Sequence, residues 1–309
     1  MVAGRTAVEH SIAALPGWRE RHAGTIRQWR LVAHLFRRSF SSMLGMALVL
    51  LFLVLAAFGT QLAPYPEDSA GAVHMEQRLQ PPSAAHPFGT DEMGNDILSR
   101  VVVGTRVSLW IGLVIVTVAI VIGVPLGITA GYLGGRVREV IMRLTDIFLS
   151  VPGLALALAI VASLGAGIGN CVIALSLVWW PGYVRLIESK TLSIKEELFV
   201  EAARAVGAST PYILWHHILP NCISPLIVKA SMDFGLAILA AASLGFIGLG
   251  AKAPAPEWGS MISVARTYMP DWWWYALFPG LAIYLTVLGF NLFGDGLRDI
   301  LDPKSSSGS

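Results

Sequence analysis

The sequence predicts an all-α integral membrane protein with six transmembrane helices. Three observations carry that prediction. Only 14% of the 309 residues are charged, against about 25% in soluble domains, and the mean hydropathy is +0.64. The apolar residues fall in long uncharged runs, and a bilayer core of about 30 Å requires about 20 such residues as helix. The basic residues crowd into alternate connecting segments. Helix is expected because every backbone polar group in lipid must be satisfied within its own span.

Residues 1–38 form an Arg-rich tail, read as a cytoplasmic, solvated or membrane-surface segment. They lack the early apolar core and cleavage site of a secretory leader. "MLGMALVLLFLVLAAFGTQLA" at 43–63 places the first span near 41–63. The segment to residue 104 is rich in Pro and polar residues ("APYPEDSAG", "LQPPSAAHPFGTDEMGNDILSR"). It has too few apolar residues for a core of its own, so it is expected to pack on the outer mouth.

The second span is read near 106–132. Gly123, Gly127, Gly131 and Gly135 repeat every four residues on one face, a pattern that lets another helix approach closely. Pro125 is expected to kink this helix. The uncharged run 147–184 would be about 57 Å long as one helix, and "GAGIGN" at 165–170 marks a turn. It therefore divides into spans near 143–165 and 168–187. The fifth and sixth spans fall near 222–249 and 273–295. The three tryptophans of "DWWWYALFPG" at 271–280 read as interfacial anchors. The chain thus divides into a tail (1–38), a first helix with its outer segment (39–104), a transmembrane core (105–303) with a polar loop at 188–222, and a terminal "SSSGS" within 304–309 that resembles an expression linker.

With the N-terminus inside, sixteen of the 22 Lys and Arg residues fall on inner segments and four, Arg78, Arg100, Lys252 and Arg266, on outer ones. The positive-inside bias places both termini in the cytoplasm. Cys171 and Cys222 then fall on opposite sides of the membrane, which disfavours a disulfide.

The motifs of chemistry are missing. There is no G-x-x-x-x-G-K-[ST] and no H-E-x-x-H, and no G-x-S-x-G. His216 and His217 are adjacent and point about 100° apart on a helix, a poor chelate. The chain is therefore expected to be non-catalytic, with no cofactor of its own and its energy supplied by another chain. A secondary transporter would show inverted repeats around a midplane site, and no clear repeat is visible. Inside the spans, Lys229 and Asp233 stand at i and i+4. They are expected to neutralise each other as a candidate intramembrane charge pair facing a polar cleft near the inner surface.

The loop contains "SIKEELFVEAARAVGASTPYILWHHILP". Its pattern predicts a helix starting near Ser193 or Ile194, with Leu198, Ala202 and Ala205 on one face. Gly207 follows as a left-handed C-terminal residue. A second helix should be capped by Ser209 or Thr210 with Pro211 at its first position. Lys190, Lys195 and Arg204 balance Glu196, Glu197 and Glu201, so the attraction that nucleic acid requires is missing. A protein partner fits this hairpin better.

Glu201-Ala202-Ala203, Gly207 and Ile218-Leu219-Pro220 resemble the cytoplasmic-loop signature of ABC importer permeases. The resemblance extends from about 39 to 303. "HPFGTDEMGNDILSRVVVGTRVSL" is similar to a family signature, except that Asn95 stands where Arg is usual. "SLGFIGLGAKAPAPEWGSMI" and "ALFPGLAIYLTVLGFNLFGDGLRDILDP" resemble the family's C-terminal blocks. The match is to C-type permease subunits of dipeptide and oligopeptide importers, with their nickel-importer relatives.

The resemblance implies the type I ABC importer fold in a prokaryotic inner membrane. It implies a homologous B-type permease, two cytoplasmic ATPase subunits that bind ATP and Mg, and an extracytoplasmic solute-binding protein as partners. It makes Glu201, Ala202, Ala203, Arg204, Ala205, Gly207, Leu219 and Pro220 the ATPase-coupling residues. Peptides are the implied solutes, with nickel chelates and haem-like ligands as alternatives in the same family.

Overall fold

The computed structural model describes residues 39–252 and 254–301. The basic tail and the terminal linker-like segment lie outside the described residues. The helices in chain order are α1 (Phe40–Leu62), α2 (Ile97–Leu133), α3 (Gly135–Ser150), α4 (Gly153–Leu164) and α5 (Ile168–Ile194), then α6 (Leu198–Ala205), α7 (Thr210–Ile213), α8 (Leu219–Phe246), α9 (Trp258–Ala265) and α10 (Trp273–Leu301). Among the described residues there is no strand, only an isolated bridge between Thr90 and Asp96.

Among the described residues, five stretches are long and apolar enough to cross a membrane: α1, α2, α5, the continuous run Thr210–Phe246, and α10. The sixth crossing differs from expectation. The span read at 143–165 is not one straight helix: α3 and α4 meet at a bend of 85°. Pro152 is the cause. Its ring disfavours helical geometry at the residue before it, and Val151 is extended at φ −97°, ψ 135°. The 12 residues of α4 extend only about 18 Å. The turn expected at 165–170 forms as read, with Gly165 at φ +94°.

The glycine repeat explains how α2 and α5 meet. A Cβ on Gly123 would lie 2.5 Å from Tyr183 Cβ, one on Gly127 2.8 Å from Ile187 Cβ, and one on Gly131 2.6 Å from Thr191 Cβ. The receiving residues also repeat every four positions, so the two helices interlock along a common seam. Gly135 leaves the pattern: it opens α3 and a Cβ there meets nothing within 4 Å. α2 is one continuous helix with Pro125 inside it.

One apolar core joins α2, α4 and α5 around Ile115, Val161, Leu175 and Tyr183. A second joins α1, α9, α10 and the start of α2 around Phe52, Ile97, Trp258 and Tyr275. Trp258 ties the second core together: its Nε1 donates to the Val101 carbonyl at 3.0 Å. The tryptophans at 272–274 do not act as one belt. Trp273 is exposed, whereas Trp274 is buried and its ring lies against Gly89. Packing in the second core, rather than the interface, holds Trp274. Cys171 and Cys222 are both buried and free.

Candidate functional site

At one end of the molecule the chain between α5 and α8 forms a hairpin. The first helix starts later than its pattern suggests. α5 runs on to Ile194, and α6 begins at Leu198 after Glu197 turns extended at φ −74°, ψ 143°. α6 closes as expected. Gly207 lies at φ +82°, its N–H donates to the Arg204 carbonyl at 3.0 Å, and the Ala208 N–H donates to the Ala203 carbonyl at 3.0 Å. These two crossed bonds make a Schellman motif, which satisfies carbonyls that the helix end leaves free.

The second arm is not a separate short helix. Ser209 occupies the cap position without a side-chain bond, and Pro211 is the second helical residue. α7 then passes through a π-helical turn at Leu214–Ile218 straight into α8. The wide turn has a local cause. Pro220 has no N–H and its ring crowds the carbonyl four residues back. The Leu219 N–H bonds to the Leu214 carbonyl, five residues back, so the helix expands just before the proline. Leu219 and Pro220 therefore set the angle at which the hairpin leaves the span.

The hairpin is seated by apolar contacts. Val200, Ile213 and Ile218 are fully buried with Ile187 of α5, and Val124 and Ile128 of α2 join them. Each such side chain contributes about 1.5–3 kcal/mol through burial. Arg204 adds an edge contact: its guanidinium lies 5.1 Å from the centre of the Tyr132 ring at the end of α2. The predicted residues thus divide. Glu201, Ala202, Ala205, Gly207 and Pro220 are exposed, while Ala203 and Leu219 are half-buried and pack on the seat. Arg204 is exposed but turned toward α2. The small-residue face expected to receive a partner is therefore Ala202 and Ala205, without Ala203.

Sequence reasoning placed Leu198 on this face and overlooked Val206 and Trp215 near it. Leu198 is 80% exposed, Val206 85% and Trp215 68%. The available signal was their apolarity within a loop otherwise full of charges. His216 stacks on the Tyr212 ring at 4.2 Å, and among the described residues no group of His, Cys, Asp or Glu could hold a metal ion.

Behind the hairpin a cleft of about 760 Å³ opens between α5, α8 and α10, lined in part by Lys190, Asn221, Ser224, Lys229, Asp233 and Arg298. Lys229 Nζ is 3.0 Å from Asp233 Oδ2 and 5.0 Å from the centre of the Tyr183 ring. The pair forms, and it lines this cleft together with Leu186, Pro225, Val228, Met232, Leu236 and Leu301, so the cleft is more apolar than expected.

The opposite end is built differently. Asp96 caps α2: its Oδ2 accepts from the Ser99 N–H at 2.8 Å and the Ser99 hydroxyl at 2.7 Å. Its Oδ1 lies 3.0 Å from His86 Nδ1. The Asp96 N–H donates to Asp68 Oδ2 at 2.7 Å, and Asp68 Oδ1 meets His74 Nε2 at 3.0 Å. Asp91 accepts from the Met93 and Asn95 N–H groups at 2.8 Å each, and Arg100 Nε lies 3.4 Å from its Oδ2. The Tyr275 hydroxyl donates to Glu92. Burial pushes the Asp91 carboxyl above its usual range, with Arg100 opposing. Burial likewise raises Glu257, whose two oxygens accept from the Gly259 and Ser260 N–H groups to cap α9.

The chain matches two family models: "N-terminal TM domain of oligopeptide transport permease C" over residues 27–82 and "Binding-protein-dependent transport system inner membrane component" over residues 123–307. It is 46% identical to a probable D,D-dipeptide transport system permease protein of Escherichia coli K12, over 96% of this chain and 97% of that one. It is 45% identical to a dipeptide transport system permease protein of Alkalihalophilus pseudofirmus, over 91% and 92%. It is 42% identical to a glutathione transport system permease protein of Pectobacterium atrosepticum, over 96% and 97%. The chain belongs to the binding-protein-dependent transport system inner membrane components, as a multi-pass, non-catalytic permease subunit of an ABC transporter complex in which other subunits hydrolyse ATP.

Proposed function

We propose that this permease admits dipeptides or short oligopeptides, and that the 198–220 hairpin couples the pathway to ATP. The peptide class is supported by the names of the dipeptide and glutathione relatives. In this reading a homologous B-type permease forms the other wall of the pathway. An extracytoplasmic binding protein delivers the solute at the Asp96 end. Two cytoplasmic ATPase subunits, which bind ATP and Mg, engage the hairpin end. Both termini are then cytoplasmic, in agreement with the Lys and Arg distribution.

One observation carries the coupling role. The hairpin is held from below by Val200, Ile213 and Ile218, yet it presents Leu198, Val206 and Trp215 to solvent. Exposed apolar side chains on a packed seat are suited to bind a partner and to pass its displacement on. Ala202 and Ala205 let a groove wall come close, and Glu201 offers charge-assisted bonds at the rim. The path of the force is continuous: Arg204 and Val200 lean on α2 and α5, and the π turn leads into α8, which lines the cleft. Movement of the ATPases would thereby tilt the wall that carries Lys229.

Reconstituted complexes carrying Ala205→Cys test this reading. The cysteine is expected to crosslink to an ATPase subunit, and dipeptide uptake is expected to require ATP. Uptake that proceeds without the ATPases, or the absence of a crosslink in every nucleotide state, would remove the hairpin from the coupling path.

A further inference from the structure

We propose that the cleft behind the hairpin contains a carboxylate subsite, and that Lys229 is the group that receives the carboxylate. The inference rests on the peptide-permease reading for the identity of its solute, whose C-terminal carboxylate would be the ligand.

Lys229 and Asp233 both lie on α8, so their mutual attraction stays within that helix, and the pair meets α5 through the Tyr183 ring, 5.0 Å from Lys229 Nζ. Lys229 lies ten residues beyond Leu219, about 15 Å along the helix, within a stretch that crosses the membrane. A charge at such depth is costly and marks a pathway by default.

The geometry is asymmetric. The Lys229 side chain is 29% exposed and that of Asp233 11%. The cleft therefore meets the ammonium, with the carboxylate set behind it. Tyr183, fully buried, supplies its ring face 5.0 Å from Nζ and so fixes the ammonium from another side. An ammonium has three donors, so Asp233 leaves capacity for a second acceptor arriving through the cleft.

The wall reinforces the sign. Lys190 from α5 and Arg298 from α10 line the same cleft, and among the described residues neither enters an ion pair. Three cations thus face one carboxylate across a space of about 760 Å³, within the roughly 300–1,000 Å³ of small-molecule sites. Such a field attracts an anionic group, and Lys229 is the one cation of the three that is held in place. Asn221 can serve the amide of the same ligand.

The experiment uses the permease–ATPase complex without its binding protein, so that selection by that protein does not enter. Ser224→Cys places a thiol in the cleft wall, and the native Cys171 and Cys222 are buried. The rate of maleimide labelling is measured with millimolar dialanine or with its C-terminal amide. Dialanine is expected to slow labelling at least threefold and the amide not at all. Adding Lys229→Met should abolish the protection, and Lys229→Arg should retain it; co-purification of the subunits shows that each complex is assembled. Equal protection by dialanine and its amide, absence of protection, or protection that survives Lys229→Met would overturn the proposal. Propionate against propionamide repeats the comparison without a peptide. Protection by propionate together with failure of dipeptide uptake would discard the peptide reading and keep the carboxylate subsite.

Discussion

The two ends of this permease reverse the usual placement of polar and apolar groups in opposite ways. At the Asp96 end, carboxylates and imidazoles are inside: Asp68, His86, Asp91, Asn95 and Asp96 are all buried. At the hairpin end, Leu198, Val206 and Trp215 are outside. The difference lies in where each group finds its partner. Most of the buried polar groups answer one another across about thirty residues of chain, from Asp68 to Ser99, although Asn95 Oδ1 accepts no hydrogen bond and Val73 and Met75 stay exposed. The exposed apolar groups of the hairpin have no such answer among the described residues.

Four substitutions or conditions would sharpen this contrast or break it. The largest effect is expected at Asp96. Asp96→Ala removes the cap of α2 and leaves His86 and the Ser99 groups unanswered in a buried site. Breaking a buried charged partnership costs about 3–5 kcal/mol. Thermal unfolding in detergent should shift strongly downward, with loss of assembled complex. A midpoint close to wild type would show that the end is not self-contained.

The next effect is expected in function rather than folding. Gly207→Val forces a branched side chain to φ +82°, at about 1–2 kcal/mol. A Cβ there meets nothing within 4 Å, so the strain stays in the turn. Uptake should fall at least tenfold while membrane insertion is kept, and Gly207→Asn should retain most activity because Asn tolerates left-handed geometry. Equal loss from Asn and Val would mean that the turn geometry is not what matters.

Val206→Ser is expected to alter stability by less than about 0.5 kcal/mol, as exposed substitutions do, and yet to weaken ATPase association measured by co-purification. A variant that associates normally would separate the exposed patch from partner binding. The smallest effect concerns pH. Asp91 and Glu257 have carboxyls raised by burial, so the folded state takes up their protons more readily than the unfolded chain. As pH falls from neutral through the raised values, their contribution to stability should rise. It should level off below the ordinary carboxylate range. The midpoint of the wild type relative to Asp91→Asn, followed across that window, checks the sign.

Much of the hairpin was legible because its signals are local. A glycine after an Ala-rich helix and a proline after a Ser-Thr pair specify backbone geometry within a few residues, and the Schellman turn at Gly207 follows. The glycine seam was legible for the same reason, since a four-residue repeat defines a helix face without reference to its partner. The broken third span was also written locally, in Pro152, but the apolar run around it concealed the bend. What eluded sequence reading were pairings over distance. Nothing near Asp96 specifies that His86 and Asp68 will meet it, and nothing near Arg204 specifies the Tyr132 ring. The division of Ala202 and Ala205 from Ala203 depended on which side of α6 the seat would take.

By itself the sequence determined that the chain crosses a membrane as helices, where most of the crossings lie, and which loop carries the motif of a coupling permease. Hydropathy and backbone satisfaction in lipid are properties of short segments, and a linear chain displays them directly. Only the tertiary structure decided that Lys229 faces a cleft with Lys190 and Arg298, that Trp274 is core while Trp273 is surface, and that the hairpin shows apolar side chains outward. Each of these depends on the rotation of one helix against another. That rotation is set by interlocking shapes such as Gly127 against Ile187, which no single segment contains.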